Sequence, residues 1–68
     1  MSLLKVIEVL AESDKSWEDA AKNAVKQAAN TVKNIKSIYI ENFEATVNGD
    51  KITNYRVNAK ISFLLGKK

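Results

Sequence analysis

Residues 51–63 read KITNYRVNAKISF, and the alternation in this stretch decides the fold. Tyr55, Val57, Ala59, Ile61 and Phe63 are apolar, while Asn54, Arg56, Asn58, Lys60 and Ser62 between them are polar. A period of two sends the first set to one face of a strand and the second set to the other. Asn48-Gly49, just upstream, is a strong hairpin signal, because both residues tolerate positive φ. A long hairpin in a chain of 68 residues needs a cover for its dry face and protection for its edges.

Working outward, residues 35–47 form the partner strand. Ile38 and Ile40 mark one side, and Tyr39, Phe43, Ala45 and Val47 the other. The apolar face changes near Glu41-Asn42, which implies either a bulge or a distal part that faces a second surface. A two-residue Asn48-Gly49 loop sets Val47 opposite Asp50. Ile40 then meets Val57 and Ile38 meets Ala59 on the dry face, with Glu41 opposite Arg56 on the wet face. The same register predicts Ser37, Tyr39, Glu41, Phe43, Arg56, Asn58 and Lys60 on the side away from any covering helix.

The cover is found upstream. From Trp17 the apolar residues recur at helical spacing: Ala20, Ala21, Ala24, Val25, Ala28 and Val32. Ser13 or Ser16 caps this helix, and Ser16-x-x-Asp19 resembles a capping box with Asp in the Glu position. Glu18, Asp19 and Asp14 sit at the end where the helix dipole favours negative charge, and Lys26 and Lys33 lie later, where it favours positive charge. The stripe is mostly alanine, so the helix can lie close to a sheet, with Trp17 as a core anchor. Before a polar break at residues 12–15, residues 3–11 fit a first strand. Ile7 and Val9 mark one face of it, and Leu4, Val6 and Leu10 the other. A strand apolar on both sides implies burial on both sides, and in so small a chain the second cover comes from another copy. The reading is an α+β fold, β-α-β-β, with a three-stranded antiparallel sheet in the order 1-3-2.

Composition narrows the function. With neither Cys nor His, disulfides and the usual zinc ligands are excluded, and no nucleophile stands beside a visible base. Catalysis is not expected. The net charge of +3 falls entirely in the second half. It is read as a solubility surplus with a basic tail at Lys67-Lys68, and a single aromatic among scattered lysines is no nucleic-acid platform. No apolar run is long enough to span a bilayer. MSLLKVIEVL carries Lys5 and Glu8 and makes a poor signal peptide, so a cytoplasmic setting is expected. Glu8, Glu12, Asp14, Glu18 and Asp19 supply hard oxygen donors that can gather a divalent cation across subunits.

KVIEVLAESDKSWEDAAKNAV and NYRVNAKISFLL together resemble the opening and closing segments of dodecins, with the Ser-x-x-Ser-aromatic helix start at Ser13, Ser16 and Trp17. The resemblance runs over residues 4–65 and implies a single dodecin-like domain over 1–68 that assembles, through trimers, into a hollow homododecamer. It further implies storage or sequestration of a small ligand, by default riboflavin, FMN or FAD, with a non-flavin shell that binds calcium or magnesium, or is purely structural, as the alternative. By family position the ligand-binding residues are Ser37, Asn42 and Arg56. Ser37 stands where flavin-binding members carry a stacking Trp, and Arg56 where they carry a ring-reading Gln. Loss of an aromatic platform weakens binding by about 1–3 kcal/mol per contact in nucleobase systems, although a guanidinium can itself stack on a planar ring.

Overall fold

The computed structural model describes residues 3–65. The alternating stretch is the central strand, β3 (Lys51–Leu64), flanked by β1 (Leu4–Ser13) and β2 (Ile35–Asn48), with one helix, α1 (Trp17–Ala28), between β1 and β2 in the chain. The sheet order is β1-β3-β2 and both pairs are antiparallel. The expected β-α-β-β architecture and strand order are present. Val57, Ala59, Ile61 and Phe63 are buried on the helix side, while Asn58, Lys60 and Ser62 between them are half-buried. Ala20, Ala24 and Ala28 are the buried stripe of α1, and their small side chains let the helix settle onto Ile61, with Ile7, Val9, Val32, Ile35 and Ile38 packed around them.

The helix starts where its caps allow. Ser16 has extended backbone and its hydroxyl accepts from the Asp19 amide at 2.9 Å. Asp19 does not close a reciprocal box directly. Its carboxylate accepts a 2.6 Å hydrogen bond from the buried Ser13 hydroxyl, which in turn accepts from the Lys15 amide at 2.9 Å. Both serines thus serve the helix start, Ser16 as the cap and Ser13 as the relay. The polar break is shorter than the sequence suggests: Glu12 and Ser13 continue β1 because Arg56 and Tyr55 of β3 pair with them.

Two features of the hairpin correct the expected register. The turn is Gly49-Asp50, with Asn48 opposite Lys51 as the last rung of the ladder. Only Gly49 of the pair takes positive φ, at 68°, the position where a glycine relieves the steric cost. This shift moves the pairing by two, and because an irregularity at Thr46–Val47 and the extra residue Glu41 offset each other, Ile40 faces Ala59 and Ile38 faces Ile61. An even shift preserves the side-chain period, which is why both isoleucines remain on the expected face. Farther along, the bulge anticipated near Glu41-Asn42 is present, between Ile40 and Asn42. The extra residue reverses the faces beyond it. Phe43 pairs with Val57 and Ala45 with Tyr55, so both lie on the helix side and not on the outer side where the unbulged register put them. Phe43 then stacks on Trp17 (centroids 5.8 Å apart), and Tyr55 meets Trp17 edge-on at 4.9 Å. The Trp17 indole N–H donates to the Glu44 carbonyl at 2.7 Å, which fastens the helix start to β2 just past the bulge.

The resulting protomer is long and thin, 51 × 19 × 14 Å. A helix of 12 residues spans about 18 Å, whereas strands of 14 residues reach about 46 Å. The hairpin arm therefore projects beyond its cover.

Candidate functional site

The face of the sheet turned away from α1 carries the chemistry. Its composition follows from the register, because paired residues share a face and successive rows along β3 step by two residues. One row is Val6, Ser62 and Ser37; the next is Glu8, Lys60 and Tyr39; then Leu10, Asn58 and Asn42; then Glu12, Arg56 and Glu44. Leu4, Val6 and Leu10, the apolar burden expected of β1, are each more than half exposed on this face, as is Tyr39 of β2.

Arg56 is the best-held polar group there. Its Nε and Nη2 donate to Glu12 Oε2 at 2.8 and 2.6 Å, and Nη1 donates to Glu44 Oε1 at 3.3 Å. The guanidinium thus bridges all three strands. Hydrogen bonding to Glu12, ahead of the Coulomb attraction of the same carboxylate, lifts its pKa above the ordinary arginine value. Glu41, expected opposite Arg56, instead reaches Lys60 at 3.8 Å, because it is the unpaired residue between the Ile40–Ala59 and Asn42–Asn58 rungs. Glu44 and Glu12 were missed as partners. The signal that identifies Glu44 is the bulge, and the one that identifies Glu12 is the continuation of β1 past Ala11.

Ser37, Asn42 and Arg56 all lie on this outer face, but a single copy does not bring them into one site. Asn42 pairs with Asn58, one row from Arg56. Ser37 pairs with Ser62, six residues along β3 from Arg56, which is about 20 Å of strand. The Ser37 and Ser62 hydroxyls bond each other at 2.6 Å, so this position is polar and self-satisfied. A pocket lined by Ser37 and Arg56 together requires a second copy.

Of the five acids of the N-terminal half, Asp14 lies in the loop before α1 and the other four do not share a face. Glu8 and Glu12 lie on the outer face, whereas Asp19 is bound to Ser13 at the helix start and Glu18 lines a shallow groove with Lys22, Lys26 and Ile38. Among the described residues, no three acidic side chains converge on one point. In the four outer-face rows and the bulge beside them, Glu8, Glu12, Glu41 and Glu44 stand against Lys60 and Arg56, a local surplus of hard oxygen donors on a chain whose net charge is +3. A second concavity, of about 650 Å³, runs between β1 and α1 over Ile7, Val9, Ala11, Ala24 and Ala28, with Asn23 and Gln27 among its polar lining. Among the described residues, no helix is long and apolar enough to cross a membrane.

The fold has known counterparts. The dodecin family model matches residues 3–66. Calcium dodecin of Mycobacterium tuberculosis is 41% identical over 64 residues, covering 93% of this chain and 89% of the relative. The crystal structure of that calcium dodecin, described as a calcium-chelating immunodominant antigen with a novel calcium-binding site, superposes with a TM-score of 0.82 at 32% identity, over 98% of this chain and 96% of the other. The dodecin of Streptomyces coelicolor superposes with a TM-score of 0.92 at 21% identity, over 98% and 96% of the two chains, and shares the fold.

Proposed function

The chain belongs to the dodecin family, and on that premise we propose that it is a self-assembling, non-flavin binding protein. Its copies close a dodecameric shell built from trimers and hold a divalent cation between subunits. The observation that carries this reading is the Glu12–Arg56–Glu44 row. The residue at the family's ring-reading position is held by two carboxylates of its own chain and is not free to meet a flavin. Ser37, at the stacking position, offers a hydroxyl already bonded to Ser62 in place of an aromatic plane. Similarity to a calcium dodecin supports the cation. So does the chemistry of the outer face, since calcium takes six to eight oxygen ligands and carboxylates are among its usual donors. Glu8 and Glu41, with Glu12 and Glu44, are the side chains of neighbouring copies that would hold it. No catalytic step is part of this reading.

Native mass spectrometry and calcium calorimetry of chelator-treated protein test it. The expected result is a twelve-copy species that takes up calcium saturably and leaves riboflavin fluorescence unchanged at micromolar protein. Quenching of riboflavin with no uptake of calcium would restore the flavin reading. A dodecamer that binds neither would reduce the protein to a structural shell.

A further inference from the structure

We infer that Glu12 and Glu44 are specificity-determining residues of the outer sheet face, and that their task is to deny Arg56 to phosphate-bearing ligands. Arg56 is the single arginine of the chain. A guanidinium presents donors in a fixed fork that fits a phosphate as well as a carboxylate, so an unpaired arginine in mid-sheet forms a ready anion site. Here both sides of the fork are filled from within the chain. Glu12 of β1 takes Nε and Nη2 through one oxygen, at 2.8 and 2.6 Å, and Glu44 of β2 takes Nη1 at 3.3 Å. Two carboxylates against one cation leave the row with a net negative charge. The next charged row does not relieve it, because Lys60 is flanked in the same manner by Glu8 across the β1 ladder and by Glu41 at 3.8 Å. A phosphate approaching Arg56 must displace one carboxylate into solvent, and then meets the repulsion of the second. Both glutamates are positioned by the backbone: Glu44 by the bulge that turns it outward, Glu12 by the last two rungs of β1.

This inference rests on the reading that the outer face is the binding face, and its test is separate from that of the cation. A lone arginine gives one side-chain Nε–Hε signal in a nitrogen-15 spectrum, so Arg56 can be followed without ambiguity in the assembled protein. Pyrophosphate is the probe. In the wild-type protein the signal is expected to stay in place through millimolar pyrophosphate. In Glu12→Gln/Glu44→Gln it is expected to shift saturably, with at least tenfold tighter apparent binding, and adding Arg56→Gln to that variant abolishes the gain. Glu44→Gln alone removes the longer, more exposed contact and is expected to give a smaller gain in the same direction, which keeps the test decisive if the double variant does not fold. Saturable binding of pyrophosphate at Arg56 in the wild type, or no gain in either folded variant, overturns the inference. Calcium calorimetry on the wild type reads the cation proposal independently of both outcomes.

Discussion

At the scale of single residues, Ile61 and Arg56 illustrate opposite kinds of contribution. Ile61 is fully buried beneath Ala24 and Ala28. Ile61→Ala is expected to lower unfolding stability by about 2–5 kcal/mol, the transfer term plus the cavity left behind, measured by denaturant titration at fixed protein concentration. A cost below 1 kcal/mol would mean that the helix collapses into the gap. Arg56, partly exposed among partly exposed carboxylates, owes its importance to position, since ion pairs in such surroundings add little stability. Its raised pKa implies a contribution fully present below the ordinary arginine value and lost only as pH climbs through the raised one. The stability difference between wild type and Arg56→Gln is therefore expected to be equal at pH 7 and pH 10. A difference that fades at pH 10 would mean that the contribution does not come from the Arg56 charge.

At the scale of elements, the alternation of residues 51–63 and the alanine stripe of α1 made the fold readable, because each is a local pattern with one structural solution. The details that position the site were not local. Asn48-Gly49 promised a turn, yet which two residues turn depends on the register of two long strands. The bulge at Glu41 was visible as a break in pattern, but whether it re-aimed Phe43 inward could be decided only once Trp17 was in place to receive the ring. The partners of Arg56 come from 44 and 12 residues away in the chain, beyond the reach of any spacing rule. The bulge has a direct test. Deleting Glu41 joins the Ile40–Ala59 and Asn42–Asn58 rungs into regular pairing and leaves Phe43 opposite Val57 on the helix side. This variant is expected to keep the Trp17–Phe43 contact and an unshifted tryptophan emission; a red shift would mean that β2 slips in register when the bulge is removed. Gly49→Val tests the turn. A β-branched residue at a φ of 68° is strained, and a loss of about 1–2 kcal/mol is expected, the scale of the left-handed penalty for a non-glycine residue.

At the scale of the whole molecule, the outer face has too much uncovered apolar surface to be at ease in water. Leu4, Val6 and Leu10 line its β1 side, in keeping with exposed patches that mark interaction surfaces. Leu10→Glu places a carboxylate in the row beside Glu12 and Arg56 and is expected to shift the sedimentation profile to smaller species without loss of helical circular dichroism. An unaltered profile would remove this patch from the contact between copies.

The arm that outruns its helix carries a further consequence. Val47 and Ile52 near its tip are 63% and 50% exposed, Val47 on the edge strand β2 and Ile52 on the part of β3 beyond its last rung with β1, where, among the described residues, the outer edges have no ladder partner. A lone copy, freshly released from the ribosome, is thus a ribbon with adhesive margins, and under the proposed assembly its survival depends on how soon it meets its siblings. Protease clipping near the tip should slow steeply as concentration rises, so that the abundance of the protein becomes a condition of its own durability.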